Sequence, residues 1–415
     1  MRRDLRQQQD LRRRLDELVG APGPEPGEQV VDAVVTTNEM NERHGTGSLV
    51  RRVFAGHAGI LSIRARDDYG GEHDFGEASL VLHHGDGRAR AFGRVLSGVG
   101  ARAVRRALCI PLVADDLLTS IALKELYGAT LGVWIMDDQN VAVNRIPDAL
   151  MAEFLSKCSL RLATHPELRE AYQAKYRMPF WLLPAVVPHE LISTELRVPS
   201  GPRFEMRTGA MCGSFWSKRW FELTCRALAG TGYETDWYGN HRSPYFRFRP
   251  AELARARVRA HGIVPEPELV AQLREYGYAI VPSGTLRAGV DDAAATARLS
   301  LPGRILFAAA TTHTPSLVLG SRETSAARFV ERFDVGLVSD YEPDAVRRAI
   351  DELCRPETQL RMRRNAAALA PVLSAARIGD WLLRSLESGR PADDRFERLW
   401  GGVAEERNLE ARAAP

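Results

Sequence analysis

The sequence predicts an α/β protein of two Rossmann-like domains with parallel sheets, followed by a C-terminal helical tail. Three observations predict it. Short apolar runs alternate with helix-like segments; the runs are continuously apolar, as in sheets covered on both faces; and the rhythm breaks at 189–208, then restarts.

The elements follow in order. An N-terminal stretch, residues 1–27, holds Leu5, Leu11, Leu15 and Leu18 on one helical stripe and ends in the breaker "APGPEPG". Its arginine-rich face reads as solvated, with contact at a membrane surface as the alternative. The first domain, 28–190, has strand-like runs at "QVVDAVVTT", "GILSIRA", "ASLVLHH", "ALCIPLV", "LGVWIMDD", "SLRLAT" and "PFWLLPAVV". Between them, "DDLLTSIALKELYG" opens on a capping Asp and stops at Gly, and "PDALMAEFLSKC" puts Pro147 in a first helical turn. "HELISTELRVPSGPRFEMRT" reads as the interdomain connection. The second domain, 205–375, has strands at "GAMCGS", "TDWYG", "RAHGIV", "YAIVPSG", "PSLVLG" and "VGLVSD". Its helices are "KRWFELTCRALAG", "PEPELVAQLREYG", "LPGRILFAAA" and "TSAARFVERF". Residues 376–415 form the helical tail, expected to pack back over the first domain.

Bulk properties exclude several function classes. A net charge of +3 over 415 residues gives no general pull toward nucleic acid. The loop "HRSPYFRFR" interleaves aromatics with arginines, but one short basic loop does not carry nucleic-acid binding. Five scattered cysteines without a Cys-x-x-Cys pair predict small buried thiols in a reducing, cytoplasmic setting. No apolar run approaches the roughly 20 residues that span a bilayer.

In Rossmann-like sheets ligands sit outside the carboxyl ends of the strands, and polar or glycine-rich residues collect there. "NERHGTGSL" follows the first strand and carries Gly45, Thr46 and Gly47; two glycines mean a sharp bend or a close approach to the backbone. "WIMDDQN" places Asp137 and Asp138 at a strand end. Period-two geometry sends Asp138 toward the opening, as the candidate catalytic carboxylate, and leaves Asp137 as a turn or cap. "GAMCGSFWSKRW" sets Ser214 after a strand, with Lys218 and Arg219 at a helix start, which suits a phosphate. Ser283 and Gly284 end a third strand, Ser300 and Arg304 precede a helix, and Thr324 and Ser325 begin another.

The order "HGIVPEPELVAQLREYGYAIVPSG … SLPGRILFAAATTHTPSLVLGS … ARFVERFDVGLVSD" resembles the donor domain of GT-B glycosyltransferases, especially the family 4-like group. "KYRMPFWLLPAVVP" is similar to the exit from their N-terminal domain, "CGSFWSKRW" to the first donor-domain strand and loop, and "WIMDDQN" to an acceptor-domain strand end. The resemblance spans 30–375 in order. It implies sugar transfer from a nucleotide-sugar donor to a glycan, lipid-linked or small-molecule acceptor, across a cleft between two domains. It also implies retention of anomeric configuration, no metal and no cofactor beyond the co-substrate; the near-neutral charge adds the expectation of no nucleic-acid partner.

Within the resemblance, Gly45, Thr46 and Gly47 occupy the loop that approaches the donor. Lys218, Arg219, Arg304 and the helix start at Thr324 assist departure of the diphosphate. The chain departs from the family where many members carry Glu-x7-Glu: those positions are Ser300 and Ala308. Ser300 and Arg304 are then expected to serve the phosphates. The departure also supports a second reading, a catalytically silent subunit of a polysaccharide or glycoconjugate pathway. The expected setting is cytoplasmic, with peripheral contact at the inner membrane face as the alternative.

Overall fold

The computed structural model describes residues 29–401 apart from 67–69, 84, 86, 241–247 and 292. The expected N-terminal helix, the end of the tail, Asp292 and most of the basic loop at 241–249 lie outside the described residues. Two compact units form. One runs up to Leu183 and takes back Arg377–Asp393; the other comprises Pro184–Ala376 with the chain from Asp394.

The first unit holds β1 (Val30–Val35), β2 (Ile60–Arg64), β3 (Ala78–Val81), β4 (Ala103–Cys109), β5 (Thr130–Ile135), β6 (Leu160–Ala163) and β7 (Trp181–Leu182). They lie in the order β3-β2-β1-β4-β5-β6-β7, every pair parallel. The second unit holds β8 (Gly209–Cys212), β9 (Thr235–Tyr238), β10 (Val258–Gly262), β11 (Ala279–Pro282), β12 (Ser316–Leu319) and β13 (Gly336–Ser339). Their order is β10-β9-β8-β11-β12-β13, again all parallel. In both sheets the order reverses beside the first strand, between β1 and β4 and between β8 and β11. That reversal leaves a crevice at the carboxyl ends, because successive connections leave it in opposite directions.

The inner strands are buried on both faces: every residue of β8, β9, β11 and β12 is buried, as is all of β5 after Thr130, whereas the edge strands β3 and β10 expose residues. Thirteen short apolar runs thus became thirteen strands, since helices on both faces leave inner strands no wet side. One boundary moved. The run "ALCIPLV" was expected to be the strand itself, but β4 begins at Ala103 and includes Arg105 and Arg106. Buried Arg106 donates from Nε and Nη2 to Asp32 on β1 (2.9 and 2.6 Å) and from Nη1 to Glu387 (2.6 Å). A charged residue belongs to an inner strand here because a neighbouring strand supplies its counter-ion. Pro147 caps the helix Asp148–Lys157 from outside its first turn.

The helix Ile378–Ser388 packs on the first sheet: the Cδ2 of Leu386 lies 2.1 Å from where a Cβ on Gly132 of β5 would stand. Within 189–208 there are only a 3₁₀ turn, His189–Leu191, and a short helix, Pro202–Glu205. All five cysteines are free, three of them buried. Among the described residues no helix is long and apolar enough to cross a membrane.

Candidate functional site

The second unit concentrates its bare backbone at the carboxyl ends of its sheet. β8 runs into the turn Gly213–Ser217, and Ser217 caps the helix Lys218–Thr231 by accepting from Trp220 N–H (3.1 Å). Gly213 has φ +82°, a left-handed conformation that disfavours a side chain. Beneath it lies Arg304, in the first turn of the helix Gly303–Thr312. Its Nη1 donates to the carbonyl of Cys212 and its Nη2 to that of Ser214, both at 2.8 Å. Burial holds its pKa below the ordinary arginine value. Arg304, read from the sequence as a phosphate ligand, therefore spends two donors on its own domain.

Lys218 is exposed and Arg219 half-buried at the helix start, within reach of Glu222 (3.6 and 3.3 Å). Arg219 Nε also donates to the carbonyl of Val290 (3.2 Å), tying the first turn of this helix to the loop after β11. Both cations stand beside the Glu222 carboxylate of their own helix, and the Asp291 carboxylate reaches Trp220 in the same first turn.

Across the crevice, β11 ends in buried Ser283 and Gly284. Tyr341 Oη donates to the carbonyl of Ser283 (2.7 Å), and the carbonyl of Gly284 accepts from Ser321 N–H (2.8 Å). Asp291 pins the loop that follows: it accepts from Trp220 Nε1 (2.8 Å), Leu286 N–H (3.1 Å) and Ala293 N–H (3.0 Å). Beyond β12, Thr324 caps the helix Ser325–Arg332, accepting from Ala327 N–H at 3.3 Å, and Ser325 Oγ donates to the carbonyl of Arg298 (3.0 Å). Buried Ser300 has no partner for its Oγ among the described residues. The structure thus gathers Ser214, Lys218, Arg219, Ser283, Gly284 and Arg304 around one crevice. Ser300, Thr324 and Ser325 sit at the neighbouring ends of the same sheet.

Sequence reading passed over Tyr341, Asp291 as a loop pin, and Trp237, whose Nε1 donates to the carbonyl of Gly213 (2.8 Å). None carried a local signal; each acts across strands distant in sequence.

In the first unit the corresponding crevice is filled by its own chain. Gly45 opens the helix Gly45–Val53, and His44 caps it by accepting Thr46 N–H at Nδ1 (3.2 Å). Gly47 does face a close approach, but by the loop before it: a Cβ there would stand 2.3 Å from the carbonyl O of Glu39 and 2.5 Å from Asn41 N. Thr37 Oγ1 donates across the crevice to Asp116 Oδ1 (2.8 Å), whose Oδ2 takes the N–H groups of Leu112 and Val113 (2.8 and 3.0 Å). Burial pushes the Asp116 carboxyl up to about 6, against those donors.

The expected geometry at β5 is reversed. Asp138 is buried and its carboxylate accepts four backbone N–H groups, from Asn140 (3.0 Å), Val141 (2.8 Å), Ala142 (2.6 Å) and Val143 (3.0 Å). Asp137 is the partly exposed member of the pair. The strand ends at Ile135, so period-two alternation no longer governs either residue.

No family model matches the chain, and no curated protein matches it. Its structure is similar to a glycosyltransferase from Rickettsia africae, with TM-score 0.61 and 11% identity over 88% of this chain and 99% of that one. A trehalose-6-phosphate synthase matches at TM-score 0.59 and 10% identity, over 88% of this chain and 100% of that one. A UDP-N-acetylglucosamine 2-epimerase matches at 0.54 and 11%, over 86% and 96%. At these identities the likeness establishes architecture: the chain has the GT-B fold, two Rossmann-like units each carrying a parallel sheet.

Proposed function

We propose that the chain is a glycosyltransferase that takes a nucleotide-sugar and holds its diphosphate at the carboxyl end of the second sheet. The observation that carries the reading is the crevice between β8 and β11, where backbone turns stand next to Lys218 and Arg219 at a helix start. N–H groups and cations aimed at one point stabilise the charge that grows on a departing diphosphate. The same cations support metal-independent departure. Retention of configuration and the acceptor class belong to the proposal on the strength of the sequence resemblance.

A second reading, a catalytically silent subunit, is favoured by one observation. Ser300 and Ala308 stand where a carboxylate pair is usual, and Asp138 is committed to its own loop. Titration calorimetry with UDP, GDP, dTDP and ADP in excess chelator tests the binding site. One nucleotide is expected to bind, and failure of all four overturns the reading. Release of nucleoside diphosphate from the matching nucleotide-sugar separates the enzyme from the silent subunit.

A further inference from the structure

We infer that Arg304 builds the phosphate-binding turn from beneath and acts on the ligand through Gly213 and Ser214, as a positioning residue and not as a ligand. The inference rests on the nucleotide-sugar reading above. Three consecutive carbonyls of the turn are tied to side chains: Cys212 and Ser214 to the two arms of Arg304, and Gly213 to Trp237 Nε1. In a trans peptide the N–H points opposite to the C=O it shares a plane with. Fixing the carbonyls of Gly213 and Ser214 therefore turns the N–H groups of Ser214 and Phe215 away from Trp237 and Arg304. Neither N–H has a hydrogen-bond partner among the described residues.

The guanidinium lies close under the turn. Its Cζ is 3.4 Å, and its Nε and Nη1 are 3.6 Å, from where a Cβ on Gly213 would stand. No carboxylate pairs with it among the described residues, so no neighbouring anion cancels its charge locally. Two outward N–H groups with an uncompensated cation behind them make an anion-binding concavity. The planar fork is required for this. A lysine keeps the charge but cannot hold two carbonyls in a fixed relation.

The test uses the full chain with Arg304→Ala and Arg304→Lys, each checked for folding by its thermal midpoint. Two quantities are read: affinity for whichever of UDP, GDP, dTDP and ADP binds best, and amide hydrogen exchange in the free protein at Gly213, the turn N–H that is bonded to the carbonyl of Tyr238 (2.9 Å). Both variants are expected to lose affinity about tenfold or more and to exchange faster at Gly213. Trp237→Phe, which removes one tether, is expected to lose about threefold. Recovery of affinity by Arg304→Lys would make the residue a direct charge ligand and overturn the inference, as would unchanged exchange in Arg304→Ala. If the parent protein binds none of the four nucleotides, the functional reading fails. The exchange result still decides whether Arg304 holds the turn.

Discussion

The two switch points, between β1 and β4 and between β8 and β11, have the same topology and opposite contents. In the first unit the space is closed by side chains and backbone of the same chain: Thr37 reaches Asp116, and the Glu39–Asn41 loop packs against Gly47. In the second the turn at Gly213 has its carbonyls drawn inward and two N–H groups left over. A strand end that satisfies its own polar groups contributes stability; one that leaves donors unpaired at the surface is available to a ligand. Substitutions in the first rim should therefore change stability without changing nucleotide affinity, and substitutions in the second should do the reverse.

The largest effect is expected at Gly47. A methyl there meets three backbone atoms of Glu39 and Asn41 at 2.3–2.5 Å, and backbone cannot swing aside as a side-chain end can. Gly47→Ala should cost about 3 kcal/mol of stability, read by denaturant unfolding, with nucleotide affinity per folded molecule unchanged. A stable variant that no longer binds nucleotide would erase the contrast between the rims.

Asp138→Asn comes next. An amide has one acceptor oxygen, so two of the four N–H groups lose their partner and face an NH₂ instead. A loss of about 2–3 kcal/mol is expected. If the melting midpoint holds while turnover falls about a hundredfold, Asp138 is a chemical group and the first rim is not merely structural.

The pH response of the first rim is of similar or smaller size. Native Asp116 keeps its proton up to about 6, whereas in the unfolded chain the group loses it near 3.8. Between those values the native state binds more protons than the unfolded one, so stability falls as pH rises through that window and is level above it. The total is at most about 3 kcal/mol, from a shift of roughly two units. Asp116→Asn should flatten that slope in unfolding curves taken from pH 4 to 7; an unchanged slope would assign it to other groups.

The smallest effect belongs to Lys218. It is exposed at a helix start, so Lys218→Ala should leave stability unchanged within about 0.5 kcal/mol. Nucleotide affinity should weaken about fivefold at low salt, and the difference should shrink as ionic strength rises. A salt-independent loss would place Lys218 in a desolvated contact.

Some of this was legible in the sequence because its causes are local. Continuous apolar runs such as "YAIVPSG" and "PSLVLG" gave strands buried on both faces, and Thr324 ahead of an apolar-periodic stretch gave a capped helix. The crowding of glycine and hydroxyl residues at strand ends pointed to the carboxyl edge of the second sheet, where the turn at Gly213 lies. Function was less legible, since side-chain direction at a strand end depends on where the strand stops and what crosses above it. The pair Asp137-Asp138 reads as one reactive and one structural carboxylate, but only the loop's four N–H groups decided that Asp138 is the buried one. Arg304 likewise reads as a cation near a phosphate. Its two carbonyl partners lie some ninety residues away in sequence, at Cys212 and Ser214, and become neighbours only when β8 and β11 pair. Patterning along the chain determined which residues are strand, helix and turn, because burial and capping act within a few residues. The pairing of strands distant in sequence decided which polar groups were satisfied internally and which were left unpaired.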